Sequence, residues 1–204
     1  MISIKAPHMG LNDARAPVRV QMWNTWEVSA SDTKRHILDW TACVARGAPG
    51  GKLKEIVISC HGAPAYLQLG EGFGAADAGL FSAWRGLVDK IWIRACLVGR
   101  IVGPETARQG DGAFITALGM TGNGDTFIRG MAAAAQAYVV VGTELQSSGR
   151  YTRTAPCPYG QLDQYEGLVL SYPSDGGPPN WSQRYPSVYN ANPTTLTASH
   201  PNSE

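Results

Sequence analysis

Two stretches of the chain place a reactive side chain shortly after a run of apolar residues. The run 56–58 (IVI) precedes His61, and the run 91–93 (IWI) precedes Cys96. A cysteine thiol becomes a nucleophile when a neighbouring base takes its proton, and His61 can supply that base. The backbone N–H groups of Gly62 and Cys96 can hold the oxyanion of a tetrahedral intermediate. The pattern therefore predicts nucleophilic hydrolysis of a carbonyl compound at Cys96.

The two apolar runs indicate the elements that position this pair. Both are rich in β-branched residues and bounded by charged residues and glycine, which is typical of buried strands in a parallel sheet. Ligands of open parallel sheets bind beyond the carboxyl ends of the strands. We expect strands 54–60 and 90–96 to be neighbours, so that His61 and Cys96 face each other across one crevice.

The remaining elements follow from periodicity and from capping and turn residues. The alternation of strands and helices predicts an α/β fold with a mostly parallel sheet in a single domain, residues 1–172. From Pro173 the composition shifts to Pro, Asn, Ser and Gly, which predicts a surface or disordered tail over 173–204. We expect irregular structure over 1–16, strands over 18–23, 138–142 and 167–171, helices from Ser31 or Asp32 to Arg46, from Asp77 to Leu87, over 111–118 and over 125–136, a hairpin over 63–70, and a loop over 97–111.

Bulk composition excludes several classes of function. The chain has 204 residues, 44% of them hydrophobic, and a formal net charge of +1, so no basic surface for nucleic acid is expected. The sequence has no run of 18 apolar residues, so no membrane span is predicted, and the first ten residues have no apolar signal segment. We expect a cytoplasmic protein, or one exported without a classical signal peptide. The sequence leaves the oligomeric state open.

The four cysteines are Cys43, Cys60, Cys96 and Cys157, and none forms a C-x-x-C motif. We therefore expect free thiols, without a disulfide framework, a zinc site or another cofactor. Because side chains alternate along a strand, Cys60 points away from His61 and belongs to the core. Cys43 and Cys157 are interpreted as structural. The other histidines have weak claims to a role because they fall in flexible or helical surface contexts: His8, His36 and His200.

A family resemblance rests on the segments 61–64 (HGAP) and 67–70 (LQLG), together with the later strand that ends in Ala95-Cys96. This arrangement resembles the caspase-like cysteine peptidases, which include caspases, gingipains, legumain and separase. It is especially similar to a bacterial caspase-like domain of unknown function, although Ala65 stands where that pattern has a second glycine. The resemblance covers residues 54–146.

What the resemblance implies is a three-layer α/β fold, with a mostly parallel sheet and helices on both faces. It implies a catalytic dyad of His61 and Cys96, with oxyanion donors at the positions of Gly62 and Cys96. The substrate would be a peptide or protein. The alternative is a catalytically inactive caspase-like module that binds a partner. An α/β-hydrolase is disfavoured, because no G-x-S-x-G motif is present and its histidine would have to be His200.

Arg94 and Glu144 are the candidate substrate-binding residues. Arg94 lies two residues before Cys96, so both face the same side of the strand. In the resembling family that position lines the pocket for the residue before the scissile bond, and an arginine there would favour an acidic residue. Alternatively, Arg94 forms a buried ion pair with Glu144, since a buried charge needs a partner. A third interpretation is that Glu144 lines the pocket and favours a basic residue.

Overall fold

A computed structural model describes residues 1–103, 115, 117–147 and 149–187. The helices whose bounds lie within the described residues are α1 (Lys34–Gly47) and α2 (Gly124–Ala135), with 3₁₀-helices at Pro49–Gly51 and Ala75–Trp84. The strands in chain order are β1 (Ile2–Ser3), β2 (His8–Asp13), β3 (Asn24–Val28), β4 (Leu53–Ser59), β5 (His61–Ala63), β6 (Tyr66–Gln68), β7 (Phe73–Gly74), β8 (Val88–Arg94), β9 (Ile101–Val102), β10 (Gly122–Asn123), β11 (Tyr138–Gly142), β12 (Gln161–Leu162), β13 (Gly167–Tyr172) and β14 (Trp181–Tyr185).

Seven strands form the main sheet in the order β14-β13-β11-β8-β4-β2-β3. The five consecutive strands β3, β2, β4, β8 and β11 run parallel to one another. At the other edge, β13 pairs antiparallel with both β11 and β14. The sequence-based expectation of a mixed α/β fold with a mostly parallel sheet is confirmed. The apolar runs explain the middle of the sheet, because strands covered on both faces need hydrophobic residues in both orientations.

Two hydrophobic clusters cover the two faces of the sheet. Ile56 and Ile58 belong to one cluster and Val57 to the other, as the alternation of side chains along a strand requires. The first cluster includes the buried hydrophobic side chains of α1, α2 and the 3₁₀-helix Ala75–Trp84. In the described part of the chain, the second cluster is built from strand and loop residues. Helices on that second face therefore stay a prediction.

The start of the chain differs from the sequence-based expectation. The predicted strand over 18–23 is wrong, and β2 and β3 form on either side of it instead. Val18 and Val20 are buried, but side chains rather than a strand ladder bind their backbone groups. Asn12 Oδ1 accepts from Val20 N at 2.9 Å, and Ser59 Oγ donates to the Val18 carbonyl at 2.7 Å. Alternation alone does not distinguish such a segment from a strand.

The other end of the domain also differs. The tail expected from residue 173 contains β14, which pairs antiparallel with β13 as the edge strand of the sheet. Residues 188–204 of that tail lie outside the described residues. The same is true of residues 104–111 of the predicted loop and of residues 111–114 of the predicted helix over 111–118. At α1 the N-cap is Thr33 rather than Ser31 or Asp32, since its side chain accepts from His36 N at 3.2 Å.

Candidate functional site

The two candidate catalytic residues follow neighbouring strands. β4 and β8 pair in parallel, and Ser59 lies opposite Arg94 at the carboxyl end of that pairing. The backbone pairing continues one step further, because Cys60 N donates to the Arg94 carbonyl at 3.3 Å. His61 lies two residues after Ser59, and Cys96 lies two residues after Arg94. The sequence-based expectation that the two strands are neighbours is confirmed.

Gly62 lies against the backbone of Cys96. A Cβ atom at this glycine would stand 2.6 Å from the Cys96 carbonyl oxygen and 3.0 Å from Ala95 Cβ. His61 itself is exposed and begins the hairpin of β5 and β6, in which it pairs with Gln68. The hairpin thus leaves the sheet directly beside the chain segment that carries Cys96.

Replacing Gly62 with alanine is expected to destabilise the protein by about 1–3 kcal/mol, because the added methyl group overpacks a contact with backbone. The Gly62 backbone is not left-handed, so close approach alone causes the effect. Urea denaturation of both the variant and the control Gly79→Ala measures it. A Cβ at Gly79 has no atom within 4 Å, so this control should lose no stability. Equal stability of the two variants would contradict the close approach.

Cys96 is half-buried, and its sulfur contacts the backbone of Gln146. Gln146 N donates to Sγ at 3.3 Å, and Sγ lies 3.6 Å from the Gln146 carbonyl oxygen. An N–H donor at the sulfur stabilises a thiolate once it forms. In the described part of the chain, no hydrogen bond joins the His61 ring to Cys96. Catalytic hydrogen bonds are often long or poorly aligned before substrate binds.

The residue after the cysteine has an unusual backbone conformation. Leu97 has a φ of 63°, in the left-handed region that residues with side chains rarely adopt. Its N–H donates to the Glu144 carbonyl at 3.2 Å, and its own carbonyl accepts from Arg100 N at 2.8 Å. Such backbone strain is concentrated at functional sites. Cys96 thus lies between the end of β8 at Arg94 and the strained turn at Leu97.

An ion pair that sequence reasoning missed anchors the His61 hairpin. The buried Asp13 carboxylate accepts from Gly70 N at 2.9 Å and from Arg15 Nε at 2.8 Å, and Arg15 also donates to the Gly70 carbonyl at 2.6 Å. Burial acts to raise the pKa of Asp13, but the hydrogen bonds from Arg15 and Gly70 outweigh it and leave the pKa lowered. Asp13 therefore stays ionised and fixes the chain just after β6, at the end of the hairpin where His61 pairs with Gln68.

The other cysteines lie in contrasting environments. Cys60 is buried in the core on the face away from His61, as alternation predicted, and burial raises the pKa of its thiol. Burial likewise raises the pKa of Cys157. Cys43 is exposed on α1. The exposed or half-buried thiols are thus Cys43 and Cys96.

The other two described histidines, His8 and His36, lie on β2 and α1. The expectation of a surface context for His8 is wrong, because it is buried in β2, where its Nδ1 accepts from Trp23 N at 2.9 Å. Burial lowers the pKa of His8. His36 is exposed on α1 and packs edge-on against Trp26 with 5.3 Å between ring centroids. His200 lies outside the described residues.

Arg94 and Glu144 do not form the ion pair considered as one alternative. Arg94 is 5% exposed and donates to the Ser147 carbonyl at 2.7 Å, while its Nε is buried with no partner in the described part of the chain. Glu144 forms an ion pair with Arg184 of β14, and its carboxylate accepts from Leu168 N at 3.3 Å. The partner of Glu144 comes from a strand that the sequence did not predict.

A cavity of about 380 Å³ lies beside the segment that contacts Cys96. Ser147 is part of its wall and directly follows Gln146, whose N–H donates a hydrogen bond to the Cys96 sulfur. Arg94 and Glu144 are not among the lining residues. The described residues that line the cavity are Ser147, Gly149, Asp163, Gln164, Tyr165, Glu166, Pro186 and Ser187.

Across the described ranges, no group of three or more His, Cys, Asp or Glu side chains is arranged to hold a metal ion. No helix in those ranges has the length and apolar character needed to cross a membrane. No protein-family model matches the chain, and comparison with curated proteins and with solved structures gave no match either.

Proposed function

We propose that the protein is a caspase-like cysteine peptidase that uses Cys96 as nucleophile and His61 as base. The observation that carries this proposal is the close approach of Gly62 to the Cys96 backbone, at the carboxyl ends of two neighbouring parallel strands. That edge is where α/β sheets bind ligands. The finer architecture, three layers with helices on both faces, belongs to the same proposal, and the mostly parallel sheet supports it.

In the proposed reaction, His61 takes the thiol proton and the Cys96 thiolate attacks the peptide carbonyl carbon. The backbone N–H groups of Gly62 and Cys96 stabilise the resulting oxyanion. The N–H of Leu97 already donates to the Glu144 carbonyl, so it is not assigned this role. His61 then gives its proton to the leaving amine, a thioester remains on Cys96, and water hydrolyses that thioester to regenerate the thiol.

One observation favours a second candidate function, a caspase-like module that binds a partner without catalysis. No hydrogen bond joins His61 to Cys96 in the described part of the chain. A thiol that no base activates would have ordinary reactivity. The two candidates therefore differ in the chemistry of one sulfur.

The test compares the alkylation of Cys96 and Cys43 by iodoacetamide at pH 6, read by peptide mass spectrometry. For a peptidase we expect Cys96 to react at least about tenfold faster than the exposed Cys43, because only an activated thiol is appreciably ionised at this pH. Cys60 and Cys157 are buried and should stay unmodified, which confirms that the protein remains folded. Equal rates at Cys96 and Cys43 would favour the binding module.

A further inference from the structure

The cavity beside Cys96 is connected to the candidate nucleophile through two consecutive residues. Gln146 N donates to the Cys96 sulfur at 3.3 Å, and the next residue, Ser147, lines the cavity. A substrate carbonyl held at the sulfur would therefore place a flanking side chain within reach of this cavity. A volume of about 380 Å³ is ample for one long side chain.

Two carboxylates line the cavity, and no lysine or arginine is among the described residues of its wall. Glu166 joins two parts of that wall, because it accepts from Ser147 N at 3.1 Å and from Ser187 Oγ at 3.1 Å. Asp163 is half-buried, accepts from Gln164 N at 2.8 Å and forms no ion pair within the described ranges. Asp163 is therefore the carboxylate that can pair with an incoming cation.

Tyr165 contributes to the same wall but does not supply a polar contact. It is only 1% exposed, and its hydroxyl, which has no hydrogen-bond partner among the described residues, is closed off from solvent. The polar contact for a ligand is therefore assigned to Asp163. A guanidinium has five N–H donors and an ammonium has three, so either can bind this carboxylate.

Arg94 is the feature that opposes a cationic ligand. Its guanidinium lies behind Ser147, is 5% exposed and is absent from the cavity wall. Asp163, by contrast, lies in the wall itself and forms no ion pair within the described ranges. An acidic side chain in the cavity would meet both carboxylates directly, and like charges in a partly buried site repel each other.

We propose that this cavity binds the substrate residue before the scissile bond and selects arginine or lysine, with Asp163 as the specificity-determining residue. The inference rests on the proposed peptidase function and extends it to a substrate class. It replaces the two expectations drawn from the sequence, in which Arg94 or Glu144 determined specificity.

The test uses fluorogenic peptides that differ only in the residue before the scissile bond, which is Arg, Lys, Gln or Asp. We expect kcat/KM for Arg or Lys to exceed that for Gln and Asp by at least about tenfold. Asp163→Asn should lower kcat/KM for the Arg peptide roughly 10- to 100-fold and change the Gln peptide by less than about threefold. Asp163→Glu keeps the charge and should retain part of the preference. Asp39→Asn, the same change on the exposed face of α1, should have no effect.

A binding measurement separates failure of this inference from failure of the proposed function. N-acetyl-argininamide and N-acetyl-glutaminamide are titrated into wild type and Asp163→Asn, and amide chemical shifts are followed by NMR. Selective binding of the arginine probe that Asp163→Asn abolishes supports the subsite, even if no peptide is cleaved. Equal binding of both probes, or arginine binding that survives in Asp163→Asn, overturns it. Preferred cleavage after Asp that Arg94→Gln abolishes also overturns it.

Discussion

Cys96→Ala is expected to lower peptide hydrolysis by at least about 10⁴-fold, because removal of the nucleophile from a catalytic unit leaves only binding and oxyanion stabilisation. The fold should survive the change. Cys96 is half-buried two residues after the end of β8, and the main interaction that the variant removes is the hydrogen bond from Gln146 N to the sulfur. Steady-state kinetics on a peptide library and a thermal melt measure the two effects separately.

Cys43→Ala is the matched control, since it removes an exposed thiol from α1, which contributes no residue to the proposed site. It should retain wild-type hydrolysis. If Cys96→Ala also retained full activity, another residue would have to be the nucleophile. If Cys96→Ala unfolded the protein, the assignment of Cys96 to a tolerant strand end would be wrong.

His61→Ala is expected to lower kcat roughly 10²- to 10⁴-fold, because a positioned general base contributes a factor of this size. His61 is exposed at the start of the hairpin, so the variant should keep its stability. The double variant with Cys96→Ala should be no slower than Cys96→Ala alone, since members of one catalytic unit are not additive.

The control for His61 is His36→Ala, which removes an exposed imidazole on α1 that packs against Trp26 of β3. Its kcat should match wild type. A full-activity His61→Ala variant, measured across the pH range where imidazole titrates, would remove the dyad from the mechanism and leave Cys96 without its assigned base.

The apolar strands were predictable because burial on both faces requires a continuous hydrophobic run. β4, β8 and β11 lie within a residue or two of their predicted bounds for this reason. β2 could not be recognised, because its buried polar residues, His8, Asn12 and Asp13, are satisfied by partners from elsewhere in the chain. Such long-range hydrogen bonds leave no periodic pattern.

The same distinction applies to the site. The neighbouring positions of the His61 and Cys96 strands follow from two local patterns, and both were predictable. The residues around the cavity were not. Asp163 and Glu166 lie in an irregular segment. Outside the cavity wall, Glu144 is engaged by Arg184 from β14, which composition had assigned to a tail. Only tertiary structure brings these groups together.

The most direct test of the dyad is covalent capture with peptidyl acyloxymethyl ketones, in which an activated thiolate displaces a carboxylate and forms a thioether. Wild-type protein and His61→Ala are incubated with the reagents, digested and mapped by mass spectrometry. If Cys96 and His61 form the dyad, we expect a single adduct on Cys96 in wild type and a much slower reaction in His61→Ala. No adduct on Cys96, or an equal rate of labelling at the exposed Cys43, would contradict it.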